Sequence, residues 1–206
     1  MNLTKISASG KGGRDYYDTC FQEYHRNTFN IDPTKFLSVL TNHLTGGASI
    51  LDIGCGSGRD LLWLKNKGYK PTGFERSQNL AELARKNSGC RVVNGDFTRY
   101  DFSGYHYDAL LLVGALVHLP HPELFSVLLR ASSALKQRGI IYLSMKEGIG
   151  QSHTKDGRVF ILWQCEQLEK IFLDLGFVIL DFVRNKSVLK TGEVWLSYLL
   201  AKERNI

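Results

Sequence analysis

The chain has 206 residues, enough for one well-buried domain with little left over for a second. With 43% hydrophobic and 22% charged residues it has the composition of an ordinary globular protein, and no apolar run approaches the roughly 18 residues of a membrane span. The net charge of +6 is spread without a dense basic block, so charge gives weak support to an acidic partner and nucleic acid is disfavoured.

The polar stretch from Met1 to Arg14 has no apolar h-region, which argues against a secretory signal. Tyr16 to Asn27 and Pro33 to His43 read as helices, the second with apolar positions at Phe36, Leu37 and Leu40. After Gly46-Gly47, short apolar runs alternate with amphipathic ones, the pattern of a doubly wound α/β sheet. Ser49 to Ile53 is the first predicted strand and Gly58 to Lys67 its helix. Lys70 to Glu75 is the second strand, with Ser77 capping a helix through Lys86. Cys90 to Asn94 is a third, short strand. Tyr107 to Val113 is a fourth, apolar enough to be buried on both faces. His121 to Lys136 is helical with Pro122 near its start, and Ile140 to Ser144 gives a fifth strand. The polar, glycine-rich Gly148 to Arg158 reads as a loop at the edge where open α/β sheets bind ligands. Trp163 to Leu175 is a helix that Gly176 caps. Phe177 to Val183 and Val194 to Ala201 are two strands with no helix between them, so they must run antiparallel. The expectation is a Rossmann-like α/β domain over residues 46–206. It has a seven-stranded, mostly parallel sheet with an antiparallel C-terminal strand, helices on both faces, and a helical cap from residues 1–45.

Leu51-Asp52-Ile53-Gly54-Cys55-Gly56-Ser57-Gly58-Arg59-Asp60 carries three glycines on alternating positions between the first strand and its helix. Such a turn lets backbone amides approach a ligand closely. In the dinucleotide fingerprint G-x-G-x-x-G the third glycine would fall at position 59, which is Arg59; here it comes one residue early, at Gly58. Two carboxylates follow at the ends of the next strands. Glu75, 21 residues after Gly54, is suited to a pair of ribose hydroxyls, and Asp96 to an adenine amino group, with Phe97 framing the base. Each feature alone has an ordinary structural reading; together, at three successive strand ends, they specify a nucleoside site.

The G-x-G-x-G turn with its preceding acid resembles motif I of the class I S-adenosylmethionine-dependent methyltransferases, whose sheet also ends in an antiparallel pair. From Tyr16 to Lys202 the chain is similar to small bacterial members with little beyond the core. The likeness lies in Tyr16…Tyr24…Thr28, G-S-G-R-D, Leu116-x-His118-Leu119-Pro120, Ser144-x-Lys146-x-Gly148-x-Gly150, Asp156-Gly157-Arg158-x-Phe160 and Trp195-Leu196. The resemblance implies S-adenosylmethionine as cofactor, held by Asp52, Gly54, Cys55, Gly56, Gly58, Arg59, Asp60, Glu75, Arg76, Asp96, Phe97 and Val113. It also implies an N-terminal aromatic helix folding over it through Tyr16, Tyr24 and Thr28. Two departures stand out: Glu75-Arg76-Ser77 replaces the usual Asp-x-Ser, and Trp163-Gln164 replaces tyrosine and threonine on the substrate side.

Methyl transfer is an in-line displacement, so a base is required only where the acceptor holds its proton. His118, Lys146 and Arg158 are the catalytic candidates after the fourth and fifth strands, with Glu147 and His153 nearby. Lys146 and Arg158 suit an anionic substrate group, or else pair with Glu147 and Asp156. His118 and His121 do not suggest a metal, because Pro120 and Pro122 prevent a helical presentation and no third ligand is evident. The four cysteines lie far apart with no C-x-x-C, which fits reduced thiols in the cytoplasm. Val113-Gly114-Ala115-Leu116 lacks the Asp/Asn-Pro-Pro-aromatic box of amino-methylating DNA enzymes. The expected function is transfer of a methyl group to an O, N or S atom of a small molecule by a monomer or homodimer without membrane contact. The alternatives are an RNA or protein methyltransferase, or a non-catalytic S-adenosylmethionine-binding protein. Calorimetry and turnover assays separate these.

Overall fold

The apolar heptapeptide Tyr107–Val113 forms the centre of the sheet because each of its faces has a helical layer to meet. Along this strand Ala109 and Leu111 pack with Leu37, Leu40 and Ile50 on one side, while Leu110 and Leu112 pack with Leu124, Val127 and Leu128 on the other. That two-sided burial is why the strand is apolar throughout rather than alternating. The computed structural model describes residues 16–189 and 191–202.

In chain order the elements are α1 (Phe21–Thr28), α2 (Thr34–Thr41), β1 (Ser49–Ile53), α3 (Arg59–Asn66), β2 (Lys70–Glu75), α4 (Gln78–Ser88), β3 (Val92–Asn94), β4 (Tyr107–Val113), α5 (His121–Ser132), β5 (Leu135–Glu147), β6 (Gln151–His153), β7 (Val159–Trp163), α6 (Cys165–Asp174), β8 (Phe177–Lys186) and β9 (Val194–Lys202). Strands β3, β2, β1, β4 and β5 lie side by side and parallel. β9 then pairs antiparallel with β5 from Ile140 to Lys146, and β8 antiparallel with β9. These seven strands are the expected Rossmann-like sheet with its antiparallel C-terminal pair.

Among the described residues the sheet has nine strands, because the segment expected as a loop folds back as a hairpin. Gln151–His153 pairs antiparallel with Val159–Trp163 around a turn at 154–157, and β7 in turn pairs with the end of β5 at Lys146 and Glu147. In that turn Asp156 Oδ1 accepts from the Thr154 hydroxyl at 2.5 Å and the Arg158 amide at 3.2 Å. The hairpin takes Trp163 into a strand, so the following helix begins at Cys165. Its start is closed reciprocally by Gln164 and Gln167. β5 likewise starts at Leu135, cutting the preceding helix short at Ser132.

α2 is a layer of the core, with Leu37 and Leu40 fully buried. Replacing either by alanine costs about 2–5 kcal/mol. The residues ahead of it reach across the carboxyl ends of the strands: residues 16–19 are helical, the helix breaks at Cys20, and α1 follows. Among the described residues no helix is long and apolar enough to cross a membrane.

Candidate active site

β1 ends at Ile53, and the chain turns through Gly54, Cys55, Gly56 and Ser57 into Gly58, the N-cap of α3. The turn is tied down by backbone bonds from the Gly54 and Cys55 amides to the Phe74 carbonyl, and by Asn87 donating to the Ser57 carbonyl. Gly56 and Gly58 have φ of +54° and +87°, left-handed conformations that favour glycine. Their surroundings differ. A Cβ on Gly58 would lie 2.8 Å from the Ala84 backbone, so that glycine lets α4 approach the turn. A Cβ on Gly56 would meet the Tyr24 ring at 3.1 Å, so this glycine faces the space that α1 covers. The sequence alone did not separate these duties.

Three acidic groups stand beneath the turn. Asp52 is 2% exposed, and its Oδ2 is buried without a hydrogen-bond partner. Burial, and then the neighbouring Asp60, raise its pKa well above the ordinary carboxylate value, against the opposing pull of Arg59. Asp60 is held by a two-pronged pair with Arg59, at 2.7 and 3.0 Å. Glu75 accepts from the Gly56 amide through Oε2 and from the Ser77 amide through Oε1, each at 2.9 Å. Burial raises its pKa, and these amide bonds pull the other way. The longer side chain of Glu75 thus fastens β2 to the glycine turn.

The other cofactor-side candidates are more loosely defined. Asp96 Oδ1 accepts from the amide and hydroxyl of Thr98, closing the turn after β3, and Phe97 is half-buried against the core. Arg76 contributes its carbonyl to Asn94. Val113 ends β4, and the next amide, Gly114, donates to the Ser144 hydroxyl at 3.0 Å. The Cys55 thiol is buried, which pushes its pKa well up and leaves it unreactive. The Thr28 hydroxyl donates to the Tyr24 carbonyl of its own helix; its backbone carbonyl faces Arg59 instead.

From the turn a chain of aromatic contacts leads to the candidate residues His118, Lys146 and Arg158. Tyr24 lies over Gly56, and Tyr17 packs edge-on against Tyr24 with ring centres 5.3 Å apart. Ser77 donates to the Tyr17 carbonyl, fastening this segment to the start of α4. The Tyr17 hydroxyl meets His118 Nε2 at 3.0 Å, and the His118 ring tilts against Phe160 at 4.6 Å. His118 Nδ1 faces the Val159 carbonyl. A carbonyl only accepts, so Nδ1 carries the proton and Nε2 accepts from Tyr17. Burial lowers the His118 pKa to about 4; the Val159 bond opposes this, and the Arg158 and Lys146 charges add to it. The imidazole is therefore neutral near pH 7. His121 Nε2 bonds the Leu162 carbonyl, so both histidines are turned to β7.

Lys146 and Arg158 complete this side. Arg158 makes the expected two-pronged pair with Asp156, and its guanidinium lies 4.2 Å from the Tyr16 ring centre. Lys146 does not pair with Glu147: it bonds Glu193, from the segment between β8 and β9, and Glu147 takes Arg184. β5 pairs with β9 so that Lys146 faces the neighbourhood of Glu193. The sequence reading did not single out Tyr17 or Glu193 as site residues. Tyr17 had a visible signal, its seven-residue spacing from Tyr24 on one helical face. Glu193 had none.

The methyltransferase-domain family matches residues 50–139, which span β1 to the start of β5. The sterol 24-C-methyltransferase of Yarrowia lipolytica is 30% identical over 98 residues, 40% of this chain and 25% of that protein. The chain spans 24–56% of the curated relatives it matches. Among solved structures, the 1,6-didemethyltoxoflavin-N1-methyltransferase of Burkholderia thailandensis superposes with a TM-score of 0.74 at 20% identity, over 98% of this chain and 94% of that one. Magnesium protoporphyrin IX methyltransferase of Synechocystis has the same score at 15% identity, over 92% and 98%. At such identities these likenesses concern the fold. The family match covers the segment that carries the glycine turn, and the solved structures share the α/β fold of methyltransferases.

Proposed function

We propose that the chain binds S-adenosylmethionine at the Gly54–Gly58 turn and transfers its methyl group to an oxygen, nitrogen or sulfur atom of a small-molecule acceptor. The observation that carries this reading is the buried, unpartnered Oδ2 of Asp52 beside the turn. A carboxyl oxygen left without a hydrogen-bond partner in a dry site is costly, and an ammonium or hydroxyl of a ligand would satisfy it. The residues fit the cofactor in kind: amides and glycines for its amino-acid portion, Glu75 for ribose, Asp96 and Phe97 for adenine. When bound, the cofactor supplies an electrophilic methyl group on a sulfonium.

The chain's own work is then to align the acceptor and exclude water. Tyr24 and Tyr17 cover the turn from the solvent side. His118, neutral, holds the Tyr17 hydroxyl at its Nε2 lone pair, so that it orients a nucleophile through that hydroxyl's oxygen. Its low pKa makes it a weak base, so the acceptor is one that ionises readily or attacks through a free lone pair. The aromatic rings of Tyr16, Tyr17, Phe160 and Trp195 favour a small, flat acceptor. Methyltransferases of similar fold include one solved with 1,6-didemethyltoxoflavin and S-adenosylhomocysteine bound.

Calorimetry with S-adenosylhomocysteine, followed by turnover on a panel of small acceptors, tests the proposal. Binding with turnover is the expected result. Binding with no turnover on small molecules, RNA or protein would replace it by a non-catalytic role, and NADH binding with none for S-adenosylhomocysteine would overturn it.

A further inference from the structure

Lys146 is 4% exposed and sits on β5 with its ammonium 3.3 Å from the Phe160 ring centre and 5.4 Å from that of Trp195. Placing an ammonium there is expensive, and a well-packed apolar side chain would stabilise a fold at least as well as a buried ion pair. The partner of this cation is not in the core. Glu193 belongs to the surface segment after β8, keeps 32% of its side chain exposed, and is steadied by Thr191 through its other oxygen. Arg158 repeats the arrangement: a cation between the Tyr16 and Phe160 rings, countered by Asp156 from a surface turn. Glu193 feels the positive charge of both Lys146 and Arg158.

We infer that Lys146 is the binding residue for the carboxylate of a flat, conjugated acceptor, and that Glu193 occupies this position as an internal stand-in which the acceptor displaces. A fixed, desolvated cation between two aromatic walls matches an anion on an aromatic body. A carboxylate from a surface segment already fills the anion's place with the right shape and charge. Because Glu193 can swing to water, its release costs far less than unpairing a core carboxylate would. The inference rests on the methyltransferase reading, since it assigns the acceptor of that reaction.

The test is calorimetry of benzoate, 1-naphthoate and indole-3-carboxylate, with benzamide as the neutral control, on protein saturated with S-adenosylhomocysteine. Glu193→Gln should bind the carboxylates about tenfold more tightly than wild type, because the competitor is gone. Lys146→Met should lose that binding, Lys146→Arg should keep part of it, and benzamide should bind none of them. Affinity for S-adenosylhomocysteine should stay within about twofold across the three variants, which also shows that each one folds. Carboxylate binding unchanged in Lys146→Met, weaker in Glu193→Gln, or absent from both wild type and Glu193→Gln would overturn the inference. Absence of S-adenosylhomocysteine binding to wild type would instead sink the methyltransferase reading.

Discussion

The proposed cofactor side and the proposed acceptor side of this site are built in different ways. The proposed cofactor side centres on one short stretch of chain, from Asp52 to Asp60, joined by Glu75 at the end of β2 and by Asp96 and Phe97 after β3; much of its geometry comes from backbone amides and left-handed glycines. The acceptor side gathers Tyr17, His118, Lys146, Arg158 and Glu193, side chains from segments that meet only in the folded sheet. A common cofactor can be met by one local motif, whereas an individual acceptor is met by side chains that can vary without disturbing the sheet.

Substitutions at four positions break or sharpen this contrast. The largest effect is expected for Glu75→Ala, which leaves the Gly56 and Ser77 amides without a partner in a buried place. It should cost about 3–5 kcal/mol in urea unfolding, while Glu75→Gln should cost about 1–3 kcal/mol. If Glu75→Ala unfolds like wild type, the carboxylate does not hold the turn.

His118 gives the acceptor side a pH signature. Its pKa falls from 6.5 to about 4 on folding, so between those values the unfolded chain binds the proton more readily than the native one. Stability from this group is therefore lost as pH falls from 6.5 toward 4, by up to about 3 kcal/mol. Urea midpoints at pH 7 and pH 4.5 should converge in His118→Gln relative to wild type. An unchanged difference would mean that the imidazole is not held neutral.

Gly56→Ala should cost about 1–2 kcal/mol through its left-handed φ, a fall in Tm of roughly 2–8 °C. It should also weaken S-adenosylhomocysteine binding about tenfold or more as the new methyl presses on Tyr24. The smallest effect belongs to Lys170→Ala, an exposed i,i+4 partner of Asp174 on α6. It should change stability by less than about 0.5 kcal/mol and leave ligand binding alone.

The same contrast explains how far the sequence could be read. The parallel strands were legible because β4 is apolar on both faces, and the antiparallel pair because residues 184–193 leave no room for a crossover. The β6–β7 hairpin was not: Gly148 to Arg158 carries no alternation, and its pairing with β5 is decided by tertiary contact. For the same reason Lys146 paired with distant Glu193 rather than with adjacent Glu147. The glycine spacing and Glu75 stood out in the sequence, yet only in the folded chain is it visible that Gly58 serves α4 packing while Gly56 faces Tyr24.

The central claim is that the glycine turn is a cofactor site covered by Tyr24. Titration calorimetry of S-adenosylhomocysteine into wild type and Gly56→Ala tests it most directly. The account predicts one site per chain in wild type and a marked loss of affinity in the variant, which remains folded by circular dichroism. No binding to wild type, or equal affinity in the two proteins, would contradict it.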